Sequence, residues 1–134
     1  MDKCLLGIDL GTSGLKAAVL DEKGRLLASA GREYAIASLH PGWAEQNPSI
    51  WYDAACIAVR QALADAGLRA EQVGAVGLAG QMHSLVCLDE RGTAVRPAIL
   101  WADQRSAVQV DWVNGQLGRD KLAACAGNPL ATGF

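Results

Sequence analysis

Apolar residues come in short runs separated by glycine-rich or charged turns, and their period changes along the chain. Cys4 to Asp9 and Leu15 to Leu20 predict two strands, and Asp21-Glu22-Lys23-Gly24 predicts a turn into a third strand near Leu26 to Ile36. Strands in succession with short connections make an antiparallel meander. Ala37 to Gln46, with Pro41-Gly42 inside it, reads as a polar loop. Asn47-Pro48 then supplies an N-cap and a proline at the first helical position, predicting a helix to about Ala66. Trp51, Ala55, Ala58 and Ala62 recur at helical spacing, a narrow face whose small residues permit close packing on a sheet, and Gly67 supplies the stop.

In the second half, Val73 to Ala79 is apolar throughout and predicts a fourth strand, interior and covered on both faces. Gly74, Gly77 and Gly80 have no helix directly behind them, so their spacing signals close packing, not a dinucleotide fingerprint. Ser84 to Leu88, the turn Asp89-Glu90-Arg91-Gly92 and Thr93 to Val95 predict a hairpin, and Ala98 to Trp101 a short strand. Asp103 is placed to cap a helix from Gln104 to about Gly115, with Val110, Val113 and Leu117 at helical spacing. A further helix, Arg119 to Ala126, ends at Gly127-Asn128-Pro129.

Composition narrows the class. A chain of 134 residues with 51% hydrophobic and 19% charged residues can bury a sizeable core, which argues against disorder. Twelve basic and fourteen acidic residues, a net charge of −2 with no long run of one sign, argue against a nucleic-acid surface or a polybasic membrane surface. No apolar run approaches the ~20 residues that span a bilayer, and Leu5 to Ile8 is too short for a signal peptide. A cytoplasmic protein with small-molecule partners is the expectation, and the oligomeric state is left open. Cys4, Cys56, Cys87 and Cys125 are far apart and away from His40 and His83, so buried free thiols are expected and a zinc site is not.

The chemistry concentrates at the end of the first strand, where Asp9-Leu10-Gly11-Thr12-Ser13-Gly14 joins a carboxylate to a Gly/Thr/Ser turn. Glycines let a backbone approach phosphate closely, and Thr12 and Ser13 offer hydroxyls and amides to phosphate oxygens. A carboxylate repels phosphate directly, so Asp9 is cast as a partner of hydrated Mg²⁺, which bridges the two. The spacing to Lys16 is not that of a Walker loop, and Lys16 itself reads as a solvated strand residue. A plain β-hairpin turn fits the same residues, and the local pattern leaves both readings open.

A three-strand meander, a helix and a strand able to pair parallel with the first is the order of the ribonuclease H-like fold of actin-like ATPases and sugar kinases. The expected class is therefore α/β, a mixed sheet with flanking helices. Three more segments sharpen this: Trp43-Ala44-Glu45-Gln46-Asn47-Pro48, Gly80-Gln81-Met82-His83-Ser84 and Leu100-Trp101-Ala102-Asp103-Gln104-Arg105. With the first loop they resemble, in order and spacing, the N-terminal domain of the FGGY-family carbohydrate kinases over essentially the whole chain, and most of all its xylulose-phosphorylating members.

The resemblance implies an ATP-dependent phosphotransferase that converts D-xylulose to D-xylulose 5-phosphate. Asp9 would organise Mg²⁺ and the transferring group, with Gly11, Thr12 and Ser13 facing the ATP phosphates. Gln81, Met82 and His83 would line the sugar pocket, and Trp101, Asp103 and Arg105 would shape the same side of the cleft. Glu45 and Gln46 are given a structural part in their loop. Gluconate-phosphorylating members share Met82-His83-Ser84 and Trp101-Ala102-Asp103-Gln104-Arg105-Ser106, which keeps gluconate as the alternative substrate. Glycerol-phosphorylating members carry an arginine and a glutamate where Met82 and His83 stand. A non-catalytic sugar- or nucleotide-sensing module is the reading from another class. The resemblance also implies that residues 1–134 are an incomplete N-terminal domain, inactive alone, whose general-base aspartate and ATP-binding C-terminal domain lie beyond them.

Overall fold

Consecutive strands pair as neighbours in the first third of the chain, and the computed structural model, which describes residues 3–133, shows how the rest is arranged around them. Among the described residues the elements are, in chain order, β1 (Cys4–Leu10), β2 (Gly14–Asp21), β3 (Leu26–Glu33), β4 (Glu45–Gln46), α1 (Ser49–Asp65), a 3₁₀ turn (Ala70–Gln72), β5 (Val73–Gly80), β6 (Ala98–Ile99), α2 (Ala107–Leu117) and α3 (Arg119–Ala126). They fall into two units. One joins the chain up to Ala35 with Pro48–Gln81, and the other joins Ile36–Asn47 with the chain from Met82 onward.

The first unit is a four-stranded sheet of order β3-β2-β1-β5 with α1 on one face. β1 pairs antiparallel with β2 and β2 with β3, the expected meander, whereas β1 and β5 run parallel, so the sheet is mixed. Alternation along the strands sends Cys4, Leu6, Leu15, Ala17 and Val19 into the core against Ala54, Ala58, Ala62 and Leu63 of α1. The buried line of α1 runs through Ala54, Ala58 and Ala62, an i±4 row; Ala58 and Ala62 are as expected, while Ala55 packs on the core only partly buried and Trp51 is half-buried.

Pro48 already has helical dihedrals (φ −59°, ψ −23°), as expected of a proline at the first turn. At the other end Gly67 takes φ +67°, its amide donates to Ala64 O at 3.0 Å and the amide of Leu68 donates to Leu63 O at 2.9 Å. This pair of bonds is a Schellman stop, and Leu68 closes it by packing on the core.

The sequence predicts β5 as a strand covered on both faces; among the described residues it stands at the end of the sheet order beside β1, Leu78 is 78% exposed, and α1 crosses β2 and β3. Close packing holds for Gly74 and Gly80, where a Cβ would come within 3.2 Å of Lys3 Cβ and Leu10 Cβ, but Gly77 has open space around it.

In the second unit β4 pairs antiparallel with β6, Glu45 opposite Ile99 and Gln46 opposite Ala98. The segment expected as a polar loop, Ala37 to Gln46, therefore ends in a strand. Ala44, Glu45 and Gln46 are all buried, and their ladder partners lie some fifty residues on, where no local pattern reaches. The expected hairpin keeps its turn, with Asp89 Oδ1 accepting from the amides of Arg91 and Thr93, but its strands reduce to a bridge between Leu88 and Ala94. α2 begins at Ala107, three residues after the expected start, because Asp103 closes the preceding turn and the N-cap position falls on Ser106. α3 spans Arg119–Ala126 as expected and stops at Gly127 with φ +73°.

All four cysteines are free, but only Cys4 is buried; Cys56 and Cys87 are half-buried and Cys125 is exposed. Among the described residues no helix is long and apolar enough to cross a membrane.

Candidate functional site

Asp9 lies on the sheet face opposite α1, across from Lys16 in the β1–β2 register. The turn that follows is the β-hairpin loop between these strands, so the two sequence readings of the segment coexist: it is a hairpin turn built with the residues of a phosphate loop. Gly11 N–H donates to Gly14 O at 2.9 Å and closes it. A Cβ on Gly11 would sit 2.8 Å from Gly14 O, and one on Gly14 2.9 Å from Arg32 O, so glycine is required at both positions. Asp9, Ser13, Gly14, Lys16, Arg32 and Glu33 line an open cleft of about 750 Å³ beside the turn.

Tyr34, just past β3, was not singled out from the sequence. Its amide donates to Ser13 O at 3.1 Å and its phenol to Gly11 O at 2.7 Å. Burial pushes the phenol pKa up, and the charge of Asp9 pushes it the same way. The partners are 23 residues apart in the chain, which is why no local motif marks the contact.

The parallel pairing of β1 with β5 sets Leu10 opposite Gly80, and the amide of Gln81 donates to Leu10 O at 2.8 Å. Gln81 therefore stands beside the turn at the carboxyl ends of two adjacent parallel strands, the place where α/β sheets hold ligands.

In the second unit Met82 is exposed, and His83 is an exposed residue with φ +61°, in the left-handed region that costs a non-glycine residue roughly 1–3 kcal/mol. His83, Ser84, Asp103, Arg105 and Ser106 line a cleft of about 430 Å³. Trp101 is half exposed and is not part of its lining.

Asp103 and Arg105 also belong to a buried ionic cluster. Asp103, 2% exposed, takes Ala44 N–H on Oδ2 at 2.7 Å and Arg105 N–H on Oδ1 at 2.8 Å. Arg105 Nε and Nη2 reach the same two oxygens at 2.8 and 2.7 Å, while Nη1 meets Glu45 Oε1 at 2.8 Å. Arg96 pairs with the same glutamate oxygen, and the Arg105 guanidinium stacks 3.7 Å over the Trp43 ring. Burial alone would raise the Asp103 pKa, but the hydrogen bonds from Arg105 and Ala44 outweigh it and hold it at about 2. The sequence assigned Glu45 to a structural part, and its buried ion pairs give that part its content.

The model for the FGGY family of carbohydrate kinases, N-terminal domain, matches residues 4–134. A xylulose kinase of Klebsiella pneumoniae is 41% identical over 96% of this chain and 26% of its own length. A glycerol kinase of Acinetobacter baylyi is 39% identical over 82% of this chain and 22% of its own. Among solved structures, a xyloylose kinase from Brucella ovis superposes with a TM-score of 0.89 at 35% identity, over 98% of this chain and 27% of the other. The chain thus spans about a quarter of the length of the curated relatives it matches. Its mixed sheet, parallel β1–β5 pairing and the helix α1 packed on the sheet are the actin-like, ribonuclease H-like architecture of those sugar kinases, and the chain belongs to the FGGY family of carbohydrate kinases.

Proposed function

We propose that the full-length protein transfers the γ-phosphoryl group of ATP to a hydroxyl of a small sugar, D-xylulose, giving D-xylulose 5-phosphate. The observation that carries this reading is the adjacency of the Asp9 turn and Gln81 at the ends of two parallel strands. It sets a phosphate-type loop beside the first residue of the segment that resembles a sugar site. Likeness to xylulose kinases favours the ketopentose. The likeness to a glycerol kinase does not favour glycerol, because Met82 and His83 replace the arginine and glutamate of glycerol-phosphorylating members.

Gly11, Thr12 and Ser13 face the ATP phosphates, where backbone dipoles stabilise the charge that spreads over the transferring group. Asp9 would hold Mg²⁺. The fit is good, since Mg²⁺ takes one or two carboxylates with phosphates and water, and Asp9 is an exposed carboxylate on a strand paired on both sides, in a cleft that Glu33 also lines. Among the described residues there is no cluster of three or more acidic, histidine or cysteine side chains that would form a closed metal cage. When bound, Mg²⁺ neutralises phosphate charge. Gln81, Met82 and His83 contact the sugar, and His83 can donate to or accept from a hydroxyl at neutral pH. Asp103 and Arg105 form one wall of the His83 cleft, and Trp101 stands outside its lining. In this reading a general-base aspartate takes the hydroxyl proton.

The test is ADP release by the full-length protein with Mg-ATP and either D-xylulose or D-gluconate, beside a His83→Asn variant, asparagine being a residue that tolerates positive φ. Xylulose-dependent release that the variant loses at least about tenfold supports substrate and site together. Release with gluconate alone moves the assignment to that acid, and release with neither leaves the sensing module.

A further inference from the structure

The turn between β1 and β2 is gripped from one side by a single residue. Tyr34 donates its amide to Ser13 O and its phenol O–H to Gly11 O, 3.1 and 2.7 Å away. Its ring is half-buried and packs against the core cluster formed by β1, β2 and α1, so the hydroxyl is held by packing and not by a mobile stem.

The consequence follows from peptide geometry. In a planar trans peptide the C=O of one residue and the N–H of the next point in opposite directions. Binding Gly11 O therefore turns the Thr12 N–H away from Tyr34, and binding Ser13 O does the same for the Gly14 N–H. Gly11 N–H is taken by Gly14 O, which fixes the remaining end of the turn. The side chain and the amide of Tyr34 thus hold the peptide planes on both sides of Thr12-Ser13.

We propose that Tyr34 is a positioning residue of the phosphate loop, holding its peptide planes so that the turn's N–H dipoles are preorganised for a polyphosphate. The inference rests on the reading of Gly11-Thr12-Ser13 as an ATP phosphate site. Tyr34 acts through the carbonyls of Gly11 and Ser13.

The experiment is titration calorimetry of the full-length protein with Mg-ATP, on wild type, Tyr34→Phe and Gly11→Ala, each checked by circular dichroism and a melting curve. Phenylalanine keeps the ring in the core and removes only the O–H, so Tyr34→Phe is expected to stay folded and to raise the Kd about fivefold, the worth of one ordinary hydrogen bond. Unchanged affinity in Tyr34→Phe with weakened binding in Gly11→Ala overturns the role of Tyr34 and leaves the phosphate loop standing. Unchanged affinity in both variants overturns the loop reading and the role of Tyr34 with it. Affinity lost only in proportion to folded protein lost gives Tyr34 a structural part alone and also overturns the proposal.

Discussion

Arg105 and Asp103 meet through two parallel hydrogen bonds, Nε to Oδ1 at 2.8 Å and Nη2 to Oδ2 at 2.7 Å. The fork of the guanidinium matches the carboxylate, and its third nitrogen is left for Glu45. One arginine thus neutralises two buried acids drawn from segments nearly sixty residues apart. Removing it as Arg105→Met would leave Asp103 with two backbone amides and no cation, and Glu45 with Arg96 alone. Loss of one partner from a buried ion pair costs about 3–5 kcal/mol, and the urea midpoint of the full-length protein should fall accordingly. A midpoint within error of wild type would show that the cluster contributes nothing net. Arg105→Lys should recover only part of the loss, because an ammonium cannot bridge both Asp103 oxygens in one plane.

Acid should act on the same cluster. The Asp103 carboxyl titrates at about 2 in the folded chain against an ordinary value of 3.8. A folded pKa below the unfolded one means stability that is complete above the unfolded value and drains away as pH falls from 3.8 through about 2. Asp103→Asn should therefore be less stable than wild type at neutral pH and show a flatter stability profile across that window. Parallel profiles for the two proteins, measured by urea unfolding at each pH, would exclude Asp103 as the titrating group.

Backbone crowding distinguishes two glycines of the sheet. A Cβ on Gly14 would lie 2.9 Å from Arg32 O and 3.3 Å from Glu33 Cα, both backbone, whereas Gly77 has nothing within 4 Å. Gly14→Ala should force β2 and β3 apart at the end that carries the turn and destabilise by about 1–3 kcal/mol. Gly77→Ala should be neutral or slightly stabilising through the unfolded chain. Equal melting shifts for the two variants would contradict the geometry.

Gly67 offers a third backbone test. Its φ of +67° closes the Schellman stop of α1 with open space where a Cβ would go, so Gly67→Ala meets strain without collision. The expected cost is about 1 kcal/mol, read as a lowered urea midpoint with an unchanged slope. An unchanged midpoint would mean that the helix end frays without consequence for the fold.

Asp9 is exposed on the sheet, so Asp9→Asn should leave the melting temperature of the full-length protein in place. Turnover should fall by about 10²–10³, the usual loss when a charge-stabilising group is removed from a reaction centre. Turnover within a few-fold of wild type would remove Asp9 from the phosphoryl-transfer machinery.

Much of this was legible in the chain itself. Glycine and proline are local punctuation, so the meander, the stop at Gly67, the Asp89 turn and the span of α3 could be read directly from Gly24, Gly67, Gly92 and Gly127, each of which takes positive φ in the structure. The turn at Gly11-Thr12-Ser13 and the family resemblance were legible for the same reason, since contiguous residues carry them. What only the tertiary structure decided depends on residues distant in sequence. That β5 pairs parallel with β1, that Ala54 is buried more deeply than Ala55, and that Glu45 and Gln46 form a strand with Ile99 and Ala98 are choices of pairing and rotation. The ties from Tyr34 to Gly11 and from Arg105 to Glu45 are likewise made across the fold. Local propensity sets which segments extend or coil. Which of them meet is set by burying the most apolar surface while satisfying every buried charge and amide, a condition of the whole fold that no single stretch of sequence expresses.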